Sequence, residues 1–413
     1  MMRKNRKYIP ASGKVFDHEE IDNAIRAAKD GWWTEGHFAK EFEEEFSRYL
    51  GVKYVSLFNS GSSANLVAFC ALTSAVLGKR AVRPGSEVIT VATAFPTTLN
   101  PIIQNNCVPV FVDVDLKTKN AVAETVEKAI SKKTGAIMMA HTLGNPFNLK
   151  KITALVKKYN LWLIEDCCDA LGSTYNGKLA GTFGDLATFS FYPAHQITMG
   201  EGGAVVTNNQ LLQKSVRQFR DWGRDCWCDT GKDNTCGKRF DWQLGELPLG
   251  YDHKYVYSQI GYNLKLTDFQ AAIGLAQLKK LPKFIEKRKE NFNRLYAGLK
   301  KYEKYFILPE KEKGSDPCWF GFMPVVKKDA PFSRLEIVNF LENHKIGTRA
   351  LFGGNLLRQP AYLKIKKRVA EKIINSDILM ENGFWIGVFP GISSEMIEYV
   401  IKMFEEFLKR YER

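Results

Sequence analysis

One histidine stands in a loop where it could transfer protons. It is His195, in residues 190–203, which read Ser-Phe-Tyr-Pro-Ala-His-Gln-Ile-Thr-Met-Gly-Glu-Gly-Gly. Imidazole is the side chain whose ordinary pKa lies closest to neutral pH, so it gains and loses protons readily there. We therefore predict that His195 is a catalytic acid or base.

Two further regions could bind a phosphorylated aromatic cofactor. Residues 59–65, Asn-Ser-Gly-Ser-Ser-Ala-Asn, follow a strand-like run and open an apolar helix. Small residues at a helix start leave backbone N–H groups free to bind phosphate, and the helix dipole assists them. Asp166 ends a buried strand, where it could keep a pyridine nitrogen protonated, and Phe95 could stack on a ring. Taken singly, these features are better explained by helix capping, turns or core packing.

Four of the eight cysteines stand out by their spacing. Fifty-seven residues separate Cys168 from Cys226, one separates Cys226 from Cys228, and seven separate Cys228 from Cys236. Cys168 follows Asp166 by two positions, so a metal bound there would lie beside the cofactor. Four thiolates suit a [2Fe–2S] cluster. Zinc is the alternative, although the single-residue spacing is unlike that of common zinc sites.

These residues need a scaffold that brings distant loops together. Between about residues 86 and 209, strand-like apolar runs alternate with amphipathic helical stretches. This alternation predicts an α/β fold in which helices cover both faces of a mainly parallel sheet. Ligand-binding groups should then collect at the carboxyl ends of the strands, and each motif above follows such a run.

Length and composition set the remaining expectations. The 413 residues allow two domains, and we place a large one at 1–285, with an inserted loop at about 223–250, and a smaller one at 286–413. Neither a membrane-spanning apolar run nor a signal sequence is evident, so we expect a cytoplasmic protein. The net charge of +14 is spread along the chain without a nucleic-acid-binding motif, so we expect neither nucleic acid nor membrane as a partner.

The order and spacing of these segments, together with Gly-Tyr-Asn-Leu-Lys-Leu-Thr-Asp at 261–268, resemble the DegT/DnrJ/EryC1/StrS sugar aminotransferase family. The resemblance implies the PLP-dependent transferase fold type I, with a seven-stranded sheet and a smaller C-terminal α+β domain. Asn263 would reach the phosphate of a neighbouring subunit in a homodimer, and Asp169 stands where Gln or His is common. The implied cofactor contacts are Gly61, Ser62, Ser63, Phe95, Asp166, Asp169, Ser190 and Asn263.

At one position the chain departs from that family's pattern, because the family has a cofactor-binding lysine where this chain has His195. An imidazole cannot form the internal Schiff base of those enzymes. Together with the spacing of Cys168, Cys226, Cys228 and Cys236, this substitution resembles the CDP-4-keto-6-deoxyglucose 3-dehydrase family. Those enzymes use pyridoxamine phosphate and a [2Fe–2S] cluster in deoxysugar biosynthesis for lipopolysaccharide O-antigens.

That second resemblance implies a reaction. The cofactor's free amine condenses with a 4-keto group on the sugar, His195 removes a proton from C4′ of the cofactor, and the C3 hydroxyl leaves. Two electrons, passed singly through the cluster, then come from an NAD(P)H-dependent flavin or iron–sulfur reductase. Arg349 and Arg358, in glycine-containing segments, are expected to bind the diphosphate of the nucleotide sugar.

Three alternatives remain open at this point. One is an iron-free 3-dehydratase for GDP-4-keto-6-deoxymannose that regenerates its amine from glutamate, and another is a 3-dehydrase for a TDP-sugar. The third is a catalytically inert sensor of the cofactor or of a sugar nucleotide. The sequence specifies neither the nucleotide base nor whether C2 of the sugar already lacks its oxygen.

Overall fold

The computed structural model describes residues 8–228 and 230–412. Helices and strands alternate through the first half of the chain, as the sequence predicts. The helices are α1 (His18–Asp30), α2 (His37–Leu50), α3 (Gly61–Thr73), α4 (Pro96–Gln104), α5 (Ala123–Ala129), α6 (Leu149–Tyr159), α7 (Gln210–Arg220), α8 (Asp268–Leu299), α9 (Arg334–Asn343), α10 (Asn375–Asn382) and α11 (Ser394–Leu408).

The strands vary from two to seven residues in length. They are β1 (Tyr54–Phe58), β2 (Glu87–Val91), β3 (Val108–Val112), β4 (Thr134–Ala140), β5 (Trp162–Asp166), β6 (Thr174–Tyr175), β7 (Lys178–Leu179), β8 (Leu186–Ser190), β9 (Gly203–Thr207), β10 (Phe306–Ile307), β11 (Ser315–Asp316), β12 (Gly321–Phe322), β13 (Val325–Val326), β14 (Thr348–Arg349), β15 (Arg368–Val369) and β16 (Trp385–Gly387).

An eight-stranded sheet forms the centre of the molecule, in the order β1–β9–β8–β5–β4–β2–β3–β15. Neighbours pair in parallel except that β9 is antiparallel to both β1 and β8. The predicted mainly parallel sheet is confirmed, but it has eight strands rather than seven. The additional strand is β15, whose two residues pair with β3 and are too few to give a recognisable sequence pattern.

Apolar side chains bury both faces of this sheet. Val205 of β9 belongs to the core that contains Val88 and Ile137, whereas its neighbour Val206 belongs to a second core with Phe189. Because successive side chains of a strand point to opposite faces, the sheet is covered on both sides. This core surrounds the strands β5 and β8, which end on the polar residues Asp166 and Ser190.

The long helix α8 crosses the domain boundary predicted after residue 285. Its N-terminal half, with Leu275 and Leu281, packs in the core of the large sheet. Its C-terminal half, with Phe292 and Leu299, packs in a third core formed by the C-terminal region. The change from one core to the other occurs within a continuous helix, and β15 joins the large sheet from beyond the boundary. Two domains thus remain a proposal, with α8 shared between them.

The predicted inserted loop lacks regular structure. Between α7 and a short 3₁₀ turn at His253–Tyr255, the described residues form turns and extended segments without a helix or strand. This segment carries exposed aromatic side chains, among them Trp227 and Phe240. It differs in this respect from the buried strands that precede it.

Candidate active site

A cavity of about 750 Å³ opens at the carboxyl ends of the sheet strands. Asp166 is the last residue of β5, and Ser190 is the last residue of β8. Residues far apart in sequence therefore meet here, as expected of a parallel sheet. The predicted site residues that line the cavity are Gly61, Ser62, Phe95, Asp166, Cys168, Asp169, Ser190, His195 and Arg349.

The N-terminus of α3 forms one wall of this cavity. Ser60 caps the 13-residue helix, and its Oγ accepts a hydrogen bond from the N–H of Ser63 at 3.1 Å. Position 61 must be glycine, because a Cβ there would lie 2.5 Å from Cβ of Ser190. Gly61, Ser62 and Ser190 thus surround the positive end of a helix, an arrangement that suits a phosphate group.

Two residues predicted to contact the cofactor do not line the cavity. Ser63 uses its N–H and its hydroxyl to bond to Ser60, because Ser60 is the cap of the helix. The expected contact of Ser63 with phosphate stays a prediction. Asn263 accepts a hydrogen bond from Nζ of Lys265 at 2.8 Å, away from the cavity lining. Its predicted role toward a second subunit stays a prediction.

The Asp166 carboxylate is buried, 4% exposed, and held on both oxygens. Oδ2 accepts hydrogen bonds from Nδ2 of Asn65 at 2.9 Å and from the hydroxyl of Thr98 at 2.7 Å. Oδ1 accepts from the N–H of Cys168 at 3.1 Å. Donors on three sides fix the direction of the carboxylate. Such a carboxylate can hold a protonated ring nitrogen.

Sequence reasoning missed Asn65 and Thr98, which position that carboxylate. Asn65 is 1% exposed in the buried helix α3, and its Oδ1 accepts a hydrogen bond from Thr188 at 2.6 Å. The available signal was a polar residue within an otherwise apolar helix. Thr98 lies in the first turn of α4 and gave no comparable signal, because a threonine near a helix start is common.

His195 lies in the loop after β8, with its side chain 15% exposed. Its Nδ1 is 3.5 Å from Oδ1 of Asp169 and is buried without a hydrogen bond. Burial, together with the charge of Arg288, lowers the pKa of His195 to about 3, so the ring is neutral at pH 7. Burial and the charge of Asp166 raise the pKa of Asp169 to about 8. A neutral imidazole beside the cavity can accept a proton from a bound group.

The four predicted metal ligands lie in two places. Cys168 lines the large cavity, whereas Cys226, Cys228 and Cys236 line a second cavity of about 10 Å³. Burial raises the pKa of Cys228, but hydrogen bonds, first from Thr235, outweigh it and lower the pKa to about 7. Thiolates are the form that binds metals. Three of the thiols thus line one small cavity, while among the described residues none lines both cavities.

A separate buried group of ligand-type atoms lies behind Asp166. Nε2 of His141 is 3.0 Å from Oε2 of Glu165, and Cys167 contributes a sulfur within 4.8 Å of both side chains. Glu165 also accepts hydrogen bonds from the backbone N–H groups of Gly181 and Gly184. Its carboxylate is fully used by these donors, so the group is a structural network that anchors the end of β5.

The two arginines expected to bind a diphosphate differ in position. Arg349 lines the cavity at the end of β14 and donates from Nη1 to the carbonyl of Thr348. Arg358 does not line it, because its guanidinium is paired with Asp377 at 3.2 Å and with Glu381 at 2.7 Å. Of these two arginines Arg349 is the one that lines the cavity, and the diphosphate contact expected of Arg358 stays a prediction.

Comparisons with known proteins agree with this geometry. The model of the DegT/DnrJ/EryC1/StrS aminotransferase family matches residues 14–405. Lipopolysaccharide biosynthesis protein RfbH of Salmonella typhimurium is 55% identical over 97% of this chain and 91% of its own length. The dTDP-4-dehydro-2,6-dideoxy-D-glucose 3-dehydratase of Saccharopolyspora spinosa is 51% identical over 97% of this chain and 87% of its own.

A solved structure is similar over the whole fold. The GDP-4-keto-6-deoxy-D-mannose-3-dehydratase of E. coli, with hydrated PLP bound, superposes with a TM-score of 0.86. It is 28% identical, and the match covers 96% of this chain and all of the other. Separately, none of the helices in the described ranges has the length and apolarity needed to span a bilayer.

Proposed function

The chain belongs to the DegT/DnrJ/EryC1/StrS aminotransferase family, and we propose that it removes the C3 hydroxyl of a nucleotide-linked 4-keto-6-deoxyhexose. It is a pyridoxal- or pyridoxamine-phosphate-dependent sugar-nucleotide 3-dehydratase. One observation carries the proposal. The neutral imidazole of His195 faces the same cavity as Asp166 and the N-terminus of α3, at the position where the family pattern has lysine.

The residues of the cavity fit the cofactor. Gly61, Ser62 and Ser190 would hold its phosphate at the positive end of α3, and Asp166 would pair with its ring nitrogen. Phe95, half-exposed at the cavity wall, would cover the ring. Pyridoxamine phosphate supplies an amine that condenses with a keto group and a ring that accepts electrons.

His195 and Asp166 have separate roles in this proposed reaction. Asp166 would pair with the protonated ring nitrogen, because three hydrogen bonds hold its carboxylate at the cavity wall. His195 would accept the proton released at C4′ of the cofactor and return it to the C3 hydroxyl, so that the C3–O bond of the sugar breaks and the hydroxyl leaves as water. Without a lysine at position 195, the cofactor would be held by noncovalent contacts.

The cysteines support a second, reductive stage. We propose that Cys168, Cys226, Cys228 and Cys236 bind a [2Fe–2S] cluster that passes electrons singly from an NAD(P)H-dependent reductase. Since Cys168 lies apart from the other three, the segment that carries them would have to approach it, from the same chain or from a second subunit of a homodimer. Asn263 would reach the second subunit's phosphate in the same dimer.

The substrate proposed is a CDP- or dTDP-linked sugar. Arg349 would contact its diphosphate, because a guanidinium matches paired phosphate oxygens. The name of the dTDP-sugar 3-dehydratase supports a deoxysugar nucleotide as substrate, and the name of RfbH supports a role in lipopolysaccharide biosynthesis. We favour CDP-4-keto-6-deoxyglucose, with the dTDP-sugar as the alternative.

Oxygen exchange tests the dehydration without any reductase. Reversible loss of the C3 hydroxyl exchanges that oxygen with solvent, so the protein with pyridoxamine phosphate and substrate in H₂¹⁸O should label C3. Mass spectrometry detects this label in addition to the one that the ketone takes up by hydration. No C3 label from either the CDP- or the dTDP-linked sugar would contradict the proposal.

Iron analysis tests the reductive stage separately. Protein prepared without air should contain equimolar iron and acid-labile sulfide and show the absorption of a [2Fe–2S] centre. If dehydration occurs in iron-free protein and glutamate restores the amine, the glutamate-regenerated alternative is correct.

A further inference from the structure

Arg288 lies in α8, outside every motif that the sequence indicates, yet its side chain is enclosed by the protein. The residue is 1% exposed. Among the residues described here, no Asp or Glu forms an ion pair with it, whereas the other fully enclosed arginine, Arg220, is paired with Glu35 and Asp221. A buried cation without a carboxylate partner destabilises a fold, so its retention calls for another explanation.

The contacts of Arg288 lead directly to the proposed catalytic loop. Nη2 donates to the backbone carbonyl of His195 at 2.8 Å. Nη1 donates to the backbone carbonyl of Trp319 at 3.3 Å. A guanidinium presents its donors in a rigid planar fork, so these two bonds fix the His195 backbone relative to a second chain segment.

That second segment is itself rigidly attached to α8. Phe292, one turn after Arg288, stacks on Trp319 with ring centroids 3.9 Å apart and an interplanar angle of 2°. Trp319 belongs to the C-terminal core. Arg288 therefore joins the His195 loop of the large sheet to the region that contributes Phe320 and Arg349 to the cavity.

The charge of Arg288 also acts on the imidazole. After burial, it is the cause that lowers the pKa of His195. The other titratable or charged groups near this pair are Asp169, at 3.5 Å from the ring, Tyr192, and Cys318, which faces Arg288. A positive neighbour favours the neutral ring, which is the form able to accept a proton.

We infer that Arg288 is a positioning residue for His195, holding the loop backbone so that the imidazole faces the cofactor cavity. The inference rests on the proposed role of His195. Arg288 lies in no sequence motif, and this positioning role would explain why a cation is buried among carbonyl groups.

Two variants and one control test this. Arg288→Met removes the charge and the donors, and Arg288→Lys keeps the charge without the planar fork. Arg368→Met is the matched control, because Arg368 also binds a carbonyl, that of Ala129, but at the opposite ends of the strands beside Glu87. Arg288→Met should lower kcat for C3 oxygen exchange by about 10²-fold, the cost of a misplaced catalytic group. KM for the sugar nucleotide and the Kd of pyridoxamine phosphate should change by less than about twofold, because the substitution removes no contact to either bound molecule.

A second readout does not depend on turnover. In protein with ¹³C-labelled histidine, the His195 signal, identified by its loss in His195→Asn, should not titrate between about pH 5 and 8 in the wild type. In Arg288→Met its titration should move to a higher pH than in the wild type, because one of the two causes that lower the pKa of His195 is removed while burial remains. Arg288→Lys should behave as the wild type does while recovering part of kcat.

The outcomes separate the two proposals. If the wild type exchanges no C3 oxygen, the proposed function fails, but the histidine signal still tests Arg288. If Arg288→Met keeps the wild-type kcat, or loses activity only as far as Arg368→Met does with an unchanged His195 signal, the positioning role is wrong.

Discussion

The cofactor cavity and the cysteine segment, residues 226–236, are built in opposite ways. In the cavity, Asp166 is 4% exposed, ends a buried strand and receives three hydrogen bonds. The cysteine segment has no helix or strand among its described residues, and Trp227 beside the thiols is 45% exposed. The cavity is shaped by the buried core, whereas turns and partly exposed side-chain contacts, such as that of Trp227 with His253 and that of Asp233 with Lys254, hold the described part of the cysteine segment.

The cofactor cavity and the cysteine segment therefore depend on their ligands to different degrees. Strand ends and helix starts are fixed by the same cores that stabilise the protein, so the cavity exists before the cofactor binds. A segment with few buried apolar contacts gains its order from whatever its side chains bind, as many metal sites do. Changes in the cavity should therefore affect dehydration, and changes in the cysteine segment should affect metal content.

The largest effect should come from His195→Asn. Asparagine keeps a similar volume but cannot accept the C4′ proton, so C3 oxygen exchange should fall by about 10²–10⁴-fold. Mass spectrometry of the labelled sugar measures this directly. His18→Asn is the control, because the His18 side chain is 80% exposed, and it should leave the rate unchanged. Equal iron content in both variants would support the view that the cofactor cavity and the cysteine segment act independently.

Asp166→Asn should come next. The amide retains the shape but loses the negative charge, and a hydrogen bond to a charged group is worth about 1.5–3 kcal/mol. Exchange should therefore slow by about 10- to 100-fold, with weaker binding of pyridoxamine phosphate measured by fluorescence. Retention of the wild-type rate would show that this carboxylate does not face the ring nitrogen.

Cys228→Ser should have the opposite effect, lowering the metal content and leaving the C3 oxygen exchange almost unchanged. Its thiol lies with Cys226 and Cys236, away from the large cavity. Iron and sulfide should drop sharply in protein prepared without air, while C3 oxygen exchange stays within about twofold of the wild type, because general acid–base chemistry at His195 is intact. Cys107→Ala removes a thiol outside the spaced set and is the control. Loss of exchange in Cys228→Ser with normal iron would remove the distinction between the two regions.

Much of the sheet and of the cavity was predictable from the sequence, for physical reasons. Strands such as β4 and β5 are buried on both faces, so they read as continuous apolar runs. Asp166 and Ser190 follow from the rule that ligands collect at strand ends. His195 was recognisable because it replaces lysine in a patterned loop.

Other features could not be predicted because they depend on contacts distant in sequence. Arg288 looks like one more cation in a charged helix, and only the fold brings its guanidinium to the carbonyl of His195. Arg358 has a sequence context similar to that of Arg349, but neighbouring carboxylates hold it outside the cavity. The strand β15 is too short for any periodicity.

A smaller effect concerns the pH dependence of stability. Asp169 has its pKa raised from 3.8 to about 8 by burial and by the charge of Asp166. Between these pH values the folded protein keeps a proton that the unfolded chain has lost, so the free energy of unfolding decreases as pH rises. Asn does not titrate, so the melting temperature of Asp169→Asn relative to the wild type should rise from about pH 4 to 8 and then level off.

The smallest effect should be that of Ser63→Ala, and it distinguishes the sequence pattern from the structure. The pattern assigns Ser63 to the phosphate, but its hydroxyl lies 3.0 Å from Oγ of Ser60 and does not line the cavity. Removing it should change the Kd of pyridoxamine phosphate by less than about twofold, since only one part-buried contact at the helix start is lost. Ser190→Ala, at the cavity wall, should weaken binding by about tenfold, as expected when a hydrogen bond to a charged phosphate is removed. Equal losses in the two variants would mean that the cofactor draws the start of α3 into a different arrangement, and the cavity would then be less fixed before binding than its hydrogen bonds indicate.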